Sequence, residues 1–221
     1  MGAVASLRSQ PDKRHPVADV AVSDLPVSPR DGAPVAERPD FEIIPLKGLP
    51  IVALVLVALI AAIAANEFWP LEFLHVVFGA AWTILDLFLG FVLGPIMRQM
   101  SVPARIELST RLMPKMALIM PTVVTVTLAA GWQLGILLGT VDSSYVNHDW
   151  IVASYIVVGV MSVVALGLLE PANIAVLFEL KKDRPDPAVI GHLMKRFLYT
   201  AAILGTMQVA TLVIMVKLAT G

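Results

Sequence analysis

Apolar residues along the chain fall into five long stretches, separated by short polar connectors. The stretches cover residues 48–66, 71–97, 116–139, 150–179 and 197–216. Each is about long enough to cross a bilayer as a helix, which takes roughly 20 residues. The pattern predicts an all-α polytopic membrane protein, a five-helix transmembrane bundle whose last four helices form a four-helix core. The lipid bilayer is therefore its first expected partner.

Charged residues sort to alternate connectors. Two connectors are basic and carry Arg98, Arg105, Arg111, Lys115, Lys181, Lys182, Arg184, Lys195 and Arg196. The other two connectors, residues 67–72 and 140–149, hold Glu67, Glu72, Asp142 and Asp149 and contain no lysine or arginine. Basic connectors stay in the cytoplasm. The charge pattern thus predicts a multi-pass protein of the cell inner (plasma) membrane, with its N-terminus in the cytoplasm and its C-terminus outside.

The N-terminal segment, residues 1–46, differs from the rest of the chain. It contains repeated prolines and scattered charges of both signs, with few aromatic residues. Such a segment buries too little apolar surface to offset its chain entropy. We expect a disordered cytoplasmic tail over 1–46 and one membrane domain over 47–221.

The composition excludes several chemistries. The chain contains no cysteine, which rules out disulfides, thiolate metal sites and covalent haem attachment. The basic residues of the membrane domain lie mostly in two short connectors next to the membrane, so no nucleic-acid partner is expected. Any haem would have to be held non-covalently.

The second stretch carries polar residues within apolar sequence. His75, Trp82 and Asp86 are separated by seven and four residues, so on a helix they lie along one face. Gly79 lies on the same face and would let a bulky group approach the backbone closely. The spacing predicts that this face points into the bundle.

Two histidines are predicted near the outer side, His75 at the start of its helix and His148 in the loop before the fourth helix. An imidazole facing the bundle is a good ligand for haem iron or copper. The alternative is that His75 is an amphipathic residue at the membrane interface and His148 a solvated loop residue. The spacing alone leaves both interpretations open.

Two carboxyl groups lie within apolar stretches. Asp86 is predicted near mid-membrane, and Glu170 precedes Pro171 in the inner half of the fourth helix, where the proline predicts a kink. A carboxylate there is costly unless it is protonated, paired or hydrated, so such residues often mark a functional interior. Asp86 and Glu170 are candidates for a proton path toward His75. Alternatively, each is a packing group hydrogen-bonded across a helix interface.

Small and polar residues complete the pattern. Rows of glycine predict close helix packing, at Gly90, Gly94, Gly131, Gly135 and Gly139. The polar positions of the last stretch, any of which could face the bundle, are Tyr199, Thr206, Gln208 and Thr211.

Leu74-His75 followed by Trp82 resembles the entry signature of a haem-associated group of membrane proteins, which includes the HemJ-type protoporphyrinogen oxidases and the CopD-type copper-resistance proteins. The next helix is similar to the second core helix of that group. The residues that carry this likeness are Arg111, Leu112, Pro121, Thr125 and Gly131, and the final Met215-Val216-Lys217 is similar to the group's terminal run. The resemblance covers roughly residues 71–217.

The resemblance implies that His75 is an axial ligand of a b-type haem, with Gly79 and Trp82 beside the cofactor. Asp86 and Glu170 would then adjust protonation during a redox step with a membrane partner. HemJ-type enzymes place a lysine four residues after the tryptophan that opens the third core helix, whereas here Trp150 is followed at that distance by Ser154. The resemblance therefore extends to haem binding and leaves the second ligand unassigned.

Two other functions remain open from the residues alone. The chain could be a small transporter or permease component for copper or another small solute, with His75 and His148 as metal ligands. It could also be a scaffold subunit without a site of its own. The sequence is compatible with a homo-oligomer and with a monomer. It is also compatible with an enzyme and with a protein that catalyses no reaction.

Overall fold

Five long helices make up the part of the chain that the computed structural model describes, residues 41–220, and that part contains no strand. They are α1 (Leu46–Ala65), α2 (Phe68–Gln99), α3 (Val102–Leu137), α4 (His148–Leu180) and α5 (Pro187–Thr220). Each is long and apolar enough to cross a membrane. The predicted all-α bundle is confirmed. Most of the tail predicted over 1–46 lies outside the described residues.

The helices extend beyond the apolar stretches, most of all at the starts of α3 and α5. α3 begins at Val102 rather than near 116, and α5 begins at Pro187 rather than near 197. Much of both basic connectors is therefore helix. Helix continues there because backbone hydrogen bonds do not depend on hydropathy. At the start of α5 a polar side chain also caps the helix, since Asp186 Oδ1 accepts the Ala188 N–H at 2.8 Å.

The last four helices form the main core, as predicted. Its buried residues come from α2 to α5, as in Trp82, Met120, Met161 and Leu204. α1 lies to one side and packs on α3 and α2. It adds Leu59 and Ala62 to a second, smaller cluster, whose other members are Leu71, Leu74, Val126 and Ala130.

Large apolar side chains also cover the outside of the bundle. Leu54, Trp69 and Val163 are each at least 70% exposed. A water-soluble protein rarely exposes apolar surface on this scale. In a bilayer these side chains would meet lipid tails, so the exposed surface agrees with a multi-pass membrane protein.

A π turn interrupts two of the helices, over Phe88–Leu93 in α2 and Ala165–Leu169 in α4. The Gly94 N–H reaches back to the Leu89 carbonyl, and the Glu170 N–H reaches back to that of Ala165. In each helix a proline, Pro95 or Pro171, follows the turn after one intervening residue. Proline lacks an N–H and its ring clashes with the carbonyl four residues earlier, and a widened turn relieves both problems. The irregularity expected at Pro171 thus takes the form of a π turn just before it.

Glycines bring α2 and α5 close together. A Cβ at Gly90 would lie 2.5 Å from the Ala202 Cα, and one at Gly205 would lie 3.1 Å from the Leu87 backbone N. Gly90 therefore has the packing role predicted for it. Gly139 does not: its φ is +66° in the turn after α3, and nothing lies within 4 Å of a Cβ placed there.

Candidate functional site

His75 lies on α2 and contacts α3. Its Nδ1 is 2.9 Å from the carbonyl oxygen of Thr127. Because a carbonyl oxygen only accepts, Nδ1 of the neutral ring carries the proton and Nε2 keeps a free lone pair. Histidines that bind metals are commonly fixed in this way, with the second ring nitrogen bonded to a carbonyl. The imidazole thus fits the part of an axial ligand.

Glycine makes room for this ring. A Cβ at Gly131 would lie 2.5 Å from both Nδ1 and Cε1 of His75. The ring therefore occupies the space that a side chain at Gly131 would fill. Gly131, which the sequence predicted to serve helix packing, thus leaves the space that the His75 ring occupies.

Gly79 lies one turn further along α2, also facing α3. A Cβ there would lie 3.4 Å from the γ-methyl of Thr127, so Thr127 occupies the space beside this glycine. A bulky group bound to His75 would have to approach from the side of the ring that points away from α3. The imidazole therefore fits a haem ligand, while the space next to Gly79 does not form part of a haem cradle.

Asp86 is fully buried in the core and joins α2 to α5. Its Oδ2 accepts a hydrogen bond of 2.8 Å from Nε2 of Gln208, itself 3% exposed. The indole N–H of Trp82 lies close to the same carboxyl but falls short of hydrogen-bond geometry. Trp82 Nε1, Asp86 Oδ1 and Gln208 Oε1 are all buried without a partner among the described residues. Buried polar atoms are usually satisfied, so this cluster has unused capacity to bind a proton or a polar ligand.

Asn173 forms a second polar position, in the C-terminal half of α4. It is fully buried, and its side-chain amide lies close to the Glu170 carboxyl but falls short of hydrogen-bond geometry among the described residues. The half-buried Glu170 is its neighbour one turn earlier. Within residues 41–220, no hydrogen bond joins Glu170 to Asp86, whose partner is Gln208. A proton path between the two carboxyls stays a prediction.

The second histidine, His148, is the first residue of α4 and directly follows the α3–α4 loop. The Ser144 backbone N–H and hydroxyl each donate to Asp142 Oδ1 at 2.9 Å and hold the pKa of this carboxyl below its ordinary value, and the nearby His148 adds to the effect. His148 Nδ1 is buried without a partner. Among the described residues, no three His, Asp or Glu side chains come together as a metal site.

The sequence named Gln208 only as one of four polar positions on the last helix. Of these, Gln208 is buried, whereas Tyr199 and Thr206 are exposed. Thr211 points toward α4, where its hydroxyl is 3.5 Å from Met161 Sδ. No signal in the sequence separated Gln208 from the others, because its partner Asp86 lies 122 positions away.

The predicted face of α2 consists of His75, Gly79, Trp82 and Asp86. All four positions point toward the bundle, but they do not all contact the same helix. His75 and Gly79 contact α3, and Asp86 contacts α5. No family model, curated protein or solved structure matches this chain. The functional proposal accordingly depends on these contacts and on the sequence resemblance.

Proposed function

We propose that this chain is a haem-associated membrane redox protein in which His75 supplies one axial ligand to a b-type haem. The observation that supports the proposal most is the hydrogen bond from Nδ1 to the Thr127 carbonyl, which leaves Nε2 available. The resemblance of Leu74-His75 and Trp82 to the HemJ-type and CopD-type group supports it independently. We place the N-terminus in the cytoplasm and the C-terminus outside the plasma membrane.

The residues around His75 would orient the ligand. The Thr127 carbonyl accepts a hydrogen bond from Nδ1–H, which fixes the tautomer and makes Nε2 a stronger electron-pair donor to a metal. Gly131 keeps the ring against α3. A bound haem would supply the one-electron chemistry that no side chain of this cysteine-free chain provides.

Asp86 would handle protons in this proposal. Its Oδ2 is held by Gln208, and its Oδ1 has no partner, so Oδ1 is where a proton would be held in the core. Glu170 would play the same part in the inner half of α4. A change in the charge of the redox centre would then be balanced by protonation within the bundle.

The test is a reduced-minus-oxidised visible spectrum of the detergent-purified protein from haem-replete cells. We expect a Soret band and an α band in the unsubstituted chain and their loss in His75→Ala. His192→Ala is the matched control, because His192 is an exposed histidine at the opposite end of the bundle. A flat spectrum of the unsubstituted chain would overturn the proposal.

A second candidate function is a small permease component for copper or another small solute. It is favoured by the place of the unpartnered polar atoms, which lie around Asp86 and Gln208 in the four-helix core. Under this alternative Asp86→Leu would lower solute accumulation in cells, with no change in visible absorption. If cells that express increasing amounts of the protein all accumulated the same amount of copper, this result would count against a copper permease.

A further inference from the structure

A cavity of about 280 Å³ opens on the flank of the bundle between α2, α3 and α5. It lies where α2 ends and where α3 and α5 begin, the side that the charge pattern predicts to be cytoplasmic. None of the residues considered for haem or proton chemistry lines it. Its ligand is therefore a question separate from the proposed redox function.

One end of the cavity is cationic. Arg98, Arg105 and Lys195 reach it from three different helices, and no carboxylate lines it. Arg105 donates from Nη2 to the Met100 carbonyl at 3.1 Å, while its Nε is buried without a hydrogen-bond partner. The Lys195 ammonium lies 5.7 Å from the centre of the Tyr199 ring. Within the described residues none of these three cations forms an ion pair, so their charge is available to an anion.

The other end of the cavity is apolar. Gly90, Gly94, Leu198 and Ala202 line it, and Gly90 precedes Arg98 by about two helical turns, or about 12 Å along the axis. Phe91 lines the same cavity and is 56% exposed. The apolar end thus opens toward the surface that would meet lipid, and it continues well beyond the reach of a small anion held at the cations.

We propose that this cavity binds one anionic phospholipid, with the phosphate held by Arg98, Arg105 and Lys195 and the upper part of an acyl chain lying over Gly90 and Gly94. Guanidinium groups suit phosphate oxygens, and basic pockets between membrane helices are a recognised setting for acidic headgroups. The headgroup is anionic because no carboxylate is present to receive a choline or an ethanolamine. A free phosphate would use the cationic end and leave the apolar end without a role.

The test measures lipid binding to the full chain in mild detergent by native mass spectrometry and by thermal unfolding. Dioleoylphosphatidylglycerol is compared with dioleoylphosphatidylcholine, which has the same acyl chains, and with inorganic phosphate. The pocket variant Arg98→Gln/Lys195→Gln changes two exposed side chains and leaves Arg105 bonded to Met100. The matched control is Lys115→Gln/Arg184→Gln, which removes two exposed charges that do not line the cavity.

We expect one phosphatidylglycerol per chain, a raised melting temperature, and about 30-fold weaker binding in the pocket variant, since each basic residue near an acidic headgroup is worth about fivefold. The control should bind as the unsubstituted chain does. Gly191→Leu keeps every charge and fills the cavity wall where nothing lies within 4 Å of a Cβ, so it should also weaken binding. Equal binding of the two lipids, equal loss in pocket and control variants, or displacement by millimolar phosphate would each overturn the proposal.

Discussion

The orientation of His75 depends on the absence of a side chain at Gly131. A Cβ at Gly131 would lie 2.5 Å from two atoms of the ring, so Gly131→Ala should push the imidazole out and break its bond to the Thr127 carbonyl. We expect weakened haem bands or a shifted midpoint potential, together with a loss of about 1–3 kcal/mol in stability from overpacking. Visible spectra recorded during a redox titration measure both the bands and the potential.

Gly159→Ala serves as the control for this change. Gly159 lies on α4, and a Cβ there meets nothing within 4 Å. Bands and potential should be unaltered in this variant. If Gly131→Ala left them equally unaltered, the packing of His75 against α3 would have no part in haem binding.

Gln208 is the partner of Asp86 across α2 and α5. Gln208→Leu would remove the donor to Oδ2 and leave both carboxyl oxygens without a hydrogen bond. Because interhelical hydrogen bonds in membranes contribute about 0.6 kcal/mol on average and at most about 1.7, we expect a loss of about 1 kcal/mol. Reversible unfolding in mixed micelles measures the change.

Thr206→Leu is the matched control on the same helix. Thr206 is exposed and its hydroxyl bonds only within α5, to the Ala202 carbonyl at 2.9 Å. Its substitution should change stability little. A double-mutant cycle between Asp86→Leu and Gln208→Leu that gave no coupling energy would contradict the assigned contact.

At the scale of helices, the apolar runs predicted the number and order of the elements, but not their ends. Hydropathy reports where hydrocarbon begins, whereas the start of α5 is fixed by a polar cap, Asp186. Helical spacing correctly predicted that the face with His75 and Asp86 points toward the bundle. It could not supply Gln208 or Thr127, because these partners follow from how α5 and α3 lie against α2. The π turns were not predicted, because a proline such as Pro171 predicts that a helix is irregular but not which form the irregularity takes.

The contact between α2 and α5 allows a prediction about helix packing. In Gly90→Ala the new methyl group would overlap the Ala202 backbone and force the helices apart. The expected cost is about 1–3 kcal/mol. Gly159→Ala, with free space around it, should instead be neutral or stabilise the helix by up to about 1 kcal/mol. Unfolding of the two variants under identical micelle conditions decides this, and equal stability would argue against a close α2–α5 contact.

At the scale of the whole molecule, the charge pattern predicts a topology that the cysteine-free chain makes easy to test. Val146 in the α3–α4 loop is 94% exposed, and Arg184 in the α4–α5 loop is also exposed. A membrane-impermeant maleimide should label Val146→Cys on intact cells. It should label Arg184→Cys only after the membrane is opened, because the basic loop is predicted to be cytoplasmic.

The unsubstituted chain provides the background for this labelling, since it contains no cysteine. Labelling of Arg184→Cys on intact cells, with Val146→Cys protected, would reverse the predicted orientation. The five-helix bundle would be unaffected by that outcome. The side assigned to the lipid cavity would change with it.

The π turns of α2 and α4 also affect how this chain is compared with others. Each adds about one residue to its helix without adding a full turn, which shifts by about 100° the direction in which all later side chains point. In α2 the segment before the turn packs on α3 and α5, and the turn itself packs on α5. A relative with an uninterrupted α2 would keep both halves aligned only with a one-residue gap inside 88–93. An alignment that forbids gaps within membrane helices would pair the wrong faces on one side of that point.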